Sequence, residues 1–222
     1  MSTPTQTQTR VSLLSIGDEL LLGQITDTNM PYIAQRLLPL GFMVAGSETT
    51  GDELDDIVAA FQRALARADI VIATGGLGPT EDDLTMEALA KALGVELEFR
   101  QEVMDQMAAR FKRPLNSFTA ANRKQAFLPK GANILRNDWG TAPGVHAVVS
   151  PPCPRPQGDG DERARKHVFL MPGVPREMKG ILGERILPFL AANFPASQAV
   201  AIRELHAWGI PESVAGDRIK PL

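Results

Sequence analysis

The residues best suited to chemistry lie in one run, Thr74-Gly75-Gly76-Leu77-Gly78-Pro79-Thr80-Glu81-Asp82-Asp83-Leu84-Thr85. Glycines at 75, 76 and 78 let backbone N–H groups approach an anion, and a helix opening just beyond them adds partial positive charge. Two adjacent aspartates follow, and a carboxylate repels a phosphate unless a metal ion lies between them. The run therefore points to a phosphorylated ligand accompanied by a divalent cation. It is not a P-loop, since no Gly-Lys-Ser/Thr is present. Nor are its glycines spaced as in a dinucleotide-binding turn. The plainer alternative is an ordinary strand-to-helix turn, with Thr80 and Asp83 at the spacing of a capping box.

Two more segments pair glycine with acids, Gly17-Asp18-Glu19 and Gly51-Asp52-Glu53. Each ends a strand-like run. Acids at a helix start also suit the helix dipole, which covers Glu53 and Glu81. Three such ends converging on one rim would suit a metal-assisted phosphate site. Met171-Pro172-Gly173-Val174-Pro175-Arg176-Glu177-Met178 repeats the strand–turn–helix theme, with Gly173 allowing close backbone approach. Gly140-Thr141-Ala142-Pro143-Gly144 is a fifth small-residue cluster. Together these loops would suit a flat heterocycle with a phosphate tail. His146, His167 and His206 lack metal-ligand spacing and read as structural.

The elements that must position these loops alternate between strand-like and helix-like patterns. Strands are expected over 11–16, 42–49 and 70–74, with helices over 28–40 and 53–68 between them. A helix over 86–93 ends at Gly94. This βαβαβ rhythm predicts a parallel sheet with helices on both faces. Helices are further expected over 100–113, 118–125 and 175–190, and strands over 133–136, 145–150 and 167–170. Residues 1–10 read as a disordered polar tail and 151–166, rich in Pro, Gly and charge, as a flexible loop. From about residue 196 the pattern changes, with a strand over 200–206 and a helix from Ile210. That segment, 196–222, is expected to be the truncated start of a second domain.

The chain has 222 residues, a net charge of −3 and one cysteine, Cys153. The length suits one α/β domain with a short extension. The slightly acidic balance and the absence of a basic run argue against a nucleic-acid surface. A lone cysteine fits a reducing compartment. No window is apolar enough to span a membrane, so the expected location is the cytoplasm.

Taken in order, Ser15–Gln24, Asp27-Thr28-Asn29, GGLGPTEDDLT, Asn122–Ala126, GTAPG and PGVPREM resemble the N-terminal domain of the CinA (competence/damage-inducible protein A) family. That domain is similar to the MoaB/Mog molybdopterin-binding proteins. The resemblance covers about residues 11–190, places one domain over 11–195 and implies a three-layer α/β sandwich with a mostly parallel sheet. It implies metal-dependent hydrolysis of ADP-ribose or a related dinucleotide. It also implies two alternatives. One is a molybdopterin-binding or adenylyltransferase-type domain. The other is a non-catalytic nucleotide-binding or dimerising module of a nicotinamide-nucleotide amidase.

Matched to the family's acidic positions, Asp83 and Asp52 would be the catalytic and metal-binding pair, with Glu19 as a further metal ligand. Gly75, Gly76, Gly78, Thr80, Asp82, Gly140, Thr141, Gly173 and Pro175 would shape the nucleotide or pterin pocket. Lys124 is the matched cation that would offset phosphate charge. A divalent ion and a small-molecule ligand are expected, with no nucleic-acid or membrane partner and a homo-oligomeric assembly. One departure stands out: Leu77 replaces the threonine usual in Mog-type loops, which removes a hydroxyl donor. Trp139, ahead of GTAPG, is bulky enough to line or narrow the pocket.

Overall fold

A computed structural model describes residues 9–149, 165–194 and 208–219. The strands are β1 (Arg10–Ile16), β2 (Met43–Thr50), β3 (Ile70–Thr74), β4 (Leu97–Phe99), β5 (Phe127–Pro129), β6 (Asn133–Leu135), β7 (Gly144–Val149) and β8 (Lys166–Met171). The helices are α1 (Asp18–Leu21), α2 (Asn29–Leu37), α3 (Leu54–Arg67), α4 (Thr85–Leu93), α5 (Gln101–Phe111), α6 (Ala120–Lys124), α7 (Pro175–Ile181), α8 (Leu187–Asn193) and α9 (Glu212–Ile219).

Side-chain alternation fixes the layering. In β1, Val11 and Leu13 join one apolar cluster while Leu14 and Ile16 join the other. Ile70 and Ile72 oppose Val71 and Ala73 in β3, and Phe169 and Met171 oppose Val168 and Leu170 in β8. Both faces of these strands are apolar, as a parallel sheet between two helical layers requires. Ile57, Phe61 and Leu89 of α3 and α4, with Met107 of α5, cover one face. Ile33 and Leu37 of α2, with Met178, Ile181 and Leu190 of α7 and α8, cover the other.

The sheet has six strands in the order β2-β1-β3-β8-β7-β6. β2, β1, β3 and β8 run parallel, while β7 is antiparallel to both β8 and β6. The expected α/β sandwich with a mostly parallel sheet is therefore the fold observed. The four parallel strands point their carboxyl ends the same way, which brings the loops after β1, β2, β3 and β8 to one rim.

Several details depart from the sequence pattern. α1 and the two-stranded β4–β5 ribbon are too short to carry a periodic signal. The helix expected over 175–190 is interrupted by a π-helical stretch, Leu182–Ile186, just before Pro188. Proline has no N–H for the helical ladder, and the wider turn accommodates that loss. Arg10 belongs to β1 rather than to the polar tail, with its N–H donating to Asp69 Oδ2 at 3.0 Å. Lys166 belongs to β8 rather than to the expected loop. Its ammonium donates to the carbonyls of Leu65 and Ala68 at the end of α3, complementing the helix dipole. Most of 151–166, the expected strand over 200–206, Cys153 and His206 lie outside the described residues.

Candidate functional site

A pocket of about 570 Å³ opens at the carboxyl ends of the parallel strands. Open α/β sheets bind ligands there.

Its floor is the glycine loop, folded by contacts with the neighbouring strands. Gly75 has φ 105°, and a Cβ there would collide with the Ile16 carbonyl oxygen. Its N–H donates to Met171 O at 3.1 Å, and its carbonyl accepts from the buried Thr85 hydroxyl at 2.9 Å. Gly76, at φ 62°, is equally restricted by Thr85 Oγ1.

Asp83 gathers the loop's tip. Its carboxylate accepts from Gly78 N–H at 2.7 Å, Thr80 N–H at 2.8 Å and the Thr80 hydroxyl. The Thr80–Asp83 spacing closes this turn and does not cap α4. That helix starts at Thr85, with Leu84 in the capping place and no side-chain cap. Lys124 binds the loop from outside, donating to Thr80 O at 2.8 Å and Glu81 O at 3.3 Å. It is absent from the pocket lining, so its contribution is to brace the loop. Gln125, the next residue, lines the pocket and donates to Leu77 O at 3.1 Å.

The acids form the second wall. The Asp18 N–H donates to Asp52 Oδ2 at 2.9 Å, and the Asp52 N–H donates to Asp18 Oδ1 at 3.2 Å. Partial burial raises the pKa of Asp52 above the ordinary aspartate range, and the nearby carboxylates of Asp18, Glu19 and Asp82 push the same way. The Asp18 N–H opposes them. Glu19, Asp52, Asp82, Asp83 and Glu177 all line the pocket, and among the described residues no lysine, arginine or histidine does.

The third wall follows β8. Gly173, Val174, Pro175 and Glu177 line it, beside Thr141 and Ala142. Asn29 Nδ2 donates to Gly173 O at 2.8 Å and so fixes this loop. Glu177 was not singled out by the sequence. It is aimed by Asn137, whose Nδ2 donates to Glu177 Oε2 at 2.6 Å. Asn137 Oδ1 in turn accepts from the N–H groups of Trp139 and Gly140, both at 2.9 Å. Gly140 lies outside the pocket lining. It makes room for Glu177, whose carboxylate a Cβ at Gly140 would strike. Trp139 also leaves the pocket free, since its ring packs on Gly180.

Among the predicted residues, Glu19, Asp52, Gly75, Gly76, Gly78, Thr80, Asp82, Asp83, Thr141, Gly173 and Pro175 thus meet at one pocket. Only Lys124 and Gly140 stand outside it. The divalent ion can be tested against the donor set. Among the described residues no three His, Cys, Asp or Glu side chains form a ready-made metal centre. Yet the Asp52 group offers hard oxygen donors, and among the described residues no cationic side chain lines the pocket with them. Mg²⁺-type ions take one or two carboxylates, waters and substrate phosphates rather than a full protein cage. These residues fit such an ion.

His146 and His167 are brought together on neighbouring strands, with Nε2 and Nδ1 2.9 Å apart, and neither lines the pocket. Both are buried, among Phe169, Phe189 and Phe194.

A family model described as a probable molybdopterin binding domain matches residues 12–192, which include every loop of the pocket. A crystal structure of the protein CinA from Thermoplasma acidophilum superposes with a TM-score of 0.70 at 30% identity, covering 82% of this chain and 98% of that one. The chain belongs to the CinA-like family. A CinA-like protein of Anaeromyxobacter dehalogenans is 39% identical over 213 residues, which is 96% of this chain and 48% of that protein. One from Geobacter sp. strain M21 is 42% identical over 222 residues, 95% of this chain and 50% of that protein. The chain spans about half the length of the curated CinA-like relatives it matches. The molybdopterin biosynthesis enzyme MoaB of Thermus thermophilus shares the fold of this CinA-like domain. Its TM-score is 0.53 at 22% identity, with 83% of this chain and 93% of that one covered.

Proposed function

We propose that this CinA-like domain hydrolyses the phosphoanhydride of ADP-ribose or a related dinucleotide with the help of a divalent ion. The observation that carries the reading is the charge of the pocket. A glycine loop built for close backbone approach faces five carboxylates and, among the described residues, no cationic side chain. A diphosphate can enter such a site only with a metal ion.

Gly75 N–H is bound to Met171 O and Gly78 N–H to Asp83, which leaves the Gly76 N–H among the loop's glycines to receive a phosphate oxygen, and Asp83 holds that loop in shape. Asp52, with Glu19 and Asp82 beside it, would hold the ion. The ion supplies charge neutralisation on the phosphates and lowers the pKa of bound water. A water molecule attacks phosphorus, and the bond to the bridging oxygen breaks. The leaving phosphate takes the electron pair, and the water's proton passes to a carboxylate. Glu177, held by Asn137 on the third wall and outside the group that would hold the ion, is the candidate acceptor.

The matched family's description favours a second occupant, a pterin of the molybdopterin type. Two measurements separate the readings. Phosphorus NMR should show ADP-ribose converted to AMP and ribose 5-phosphate only when a divalent ion is added. Tight binding of 6-hydroxymethylpterin without any nucleotide turnover would instead support the pterin reading.

A further inference from the structure

The charges of this chain are segregated along its sequence. Residues 17–56 hold eight acids and one base, whereas residues 106–137 hold seven lysines and arginines and no acid. Folding turns each stretch into an exposed patch that includes large apolar side chains. On the acidic side Leu21, Leu22 and Ile25 are more than half exposed, and Leu21 lies against Gly51, the residue before Asp52. Asp18, Glu53, Asp55 and Asp56 are exposed there as well. On the basic side Phe111 and Leu115 are nearly half exposed. Phe111 meets Phe118 edge to face, and the Arg113 guanidinium lies over the Phe118 ring, 5.7 Å from its centre. Arg123 lies over the Phe99 ring at 5.1 Å. Exposed apolar surface rimmed by charge marks a site of association.

Lys112 stands out within the basic patch. It closes α5 at φ 52° and ψ 41°, and among the described residues it is the one non-glycine residue with a positive φ. Glycine is usual at that position, because a side chain makes the left-handed conformation costly. Lys112 is exposed, and among the described residues nothing engages its ammonium. A lysine kept where glycine would be free of strain points to a use for its side chain. The pocket is the complementary case, rich in carboxylates and lined by no described cation. Both patches reach it. Glu19, Ile25 and Asp52 line it from the acidic stretch, and Gln125 lines it from the basic one.

We infer that the two patches bind each other between two copies of this chain, and that Lys112 of the partner subunit brings its ammonium to the acidic rim at Glu53 and Asp52. A second copy is the occupant because both halves of the match are on one chain, apolar with apolar and acid with base. Two unlike patches pair twice about a two-fold axis, each basic lobe on the other copy's acidic rim, and neither is left uncovered. Leu21, Leu22 and Ile25 then meet Phe111 and Leu115 of the partner subunit. The charges surround that contact, which gives an apolar centre and a polar rim. Each pocket gains at its mouth a cation that its own chain does not place there. This pairing is independent of which ligand the pocket takes.

Sedimentation velocity across a concentration series is the test. The wild type should form a dimer that weakens as salt rises, since exposed charges are screened. Lys112→Glu and Glu53→Lys each set like charges against one another twice per dimer. Either alone should weaken the dimer about a hundredfold or more. An equal mixture of the two variants re-pairs the charges at both contacts, and so does the double variant on one chain. Each should recover the dimer to within about tenfold of the wild type. Lys112→Gly relaxes the backbone and removes the ammonium. It should keep or raise the melting temperature in about 1 M salt, where the ion pairs are screened, yet weaken the dimer at low salt. A residue that only closes α5 would be served as well by glycine, with no effect on the dimer. A wild type that stays monomeric at every concentration overturns the inference, whether or not its basic patch then binds single-stranded DNA. So does a dimer that either charge reversal leaves intact, or a mixture of the two variants that fails to restore it.

Discussion

Asp18 and Asp52 hold each other by reciprocal hydrogen bonds, each main-chain N–H donating to the other's carboxylate at 2.9 and 3.2 Å. The pair joins the start of α1 to the turn after β2. It also sets two carboxylates side by side, with Glu19 and Asp82 close enough to raise Asp52 further. Folding gathers negative charge here, and among the described residues no lysine, arginine or histidine lines the pocket to balance it.

The first prediction concerns the stability cost of that arrangement. A carboxylate whose pKa is raised on folding destabilises the native state once pH exceeds its folded value, and costs nothing where both states are protonated. Asp52→Asn keeps the acceptor for the Asp18 N–H and removes the charge. Its melting temperature should exceed that of the wild type by about 1–2 °C at pH 7. The gain should fade as pH drops below the ordinary aspartate range. A lower melting temperature at pH 7 would show that the charge is balanced by a partner.

Asp83 should behave differently, because its carboxylate builds the loop through three hydrogen bonds. Asp83→Ala strands the N–H groups of Gly78 and Thr80, at a cost of about 1–3 kcal/mol. Amide exchange at those two residues should speed up well before global unfolding. Unchanged exchange would mean that the loop is held without Asp83.

Gly75→Ala tests the floor of the pocket. The residue sits at φ 105° with the Ile16 carbonyl where a Cβ would go. Destabilisation of about 3 kcal/mol or more is expected, read by urea denaturation. Gly94→Ala, at φ 68° with open space around the added atom, should cost less.

The buried histidine pair predicts an acid limb. Burial, and then the neighbouring His167, hold the His146 pKa down to about 4, against an ordinary value of 6.5. A depressed histidine pKa gives stability that is complete above the unfolded value and lost as pH falls through the window from 6.5 to 4. The loss should reach at most about 3 kcal/mol. His146→Phe should flatten stability across that window, and an unchanged slope would assign the limb to other groups.

The layers and the rim were legible because they rest on local pattern. A short strand-like run that ends in glycine, with acids in the loop beyond, marks a parallel strand and its outgoing loop, and β1, β2 and β3 all carry it. The amides were not legible in the same way. Asn29 reaches Gly173 across 144 residues, and Gln125 reaches Leu77 across 48. Such contacts leave no local trace, so Lys124 and Gln125 exchange the places that charge alone would give them. The charged residue braces the loop from outside and the neutral one faces the pocket. Asn137, which aims Glu177, sits in an irregular turn where periodicity says nothing.

The most direct measurement is turnover of ADP-ribose by the wild type and by Asp52→Asn, followed across a titration of divalent ion. The wild type should show none without metal and saturable turnover with it. Asp52→Asn should lose roughly two to four orders of magnitude in kcat/KM, the range for a positioned acid–base or electrostatic group. Its requirement for metal should shift to higher concentration. Metal-independent turnover by the wild type, or Asp52→Asn turnover within a few-fold of it, would contradict the account.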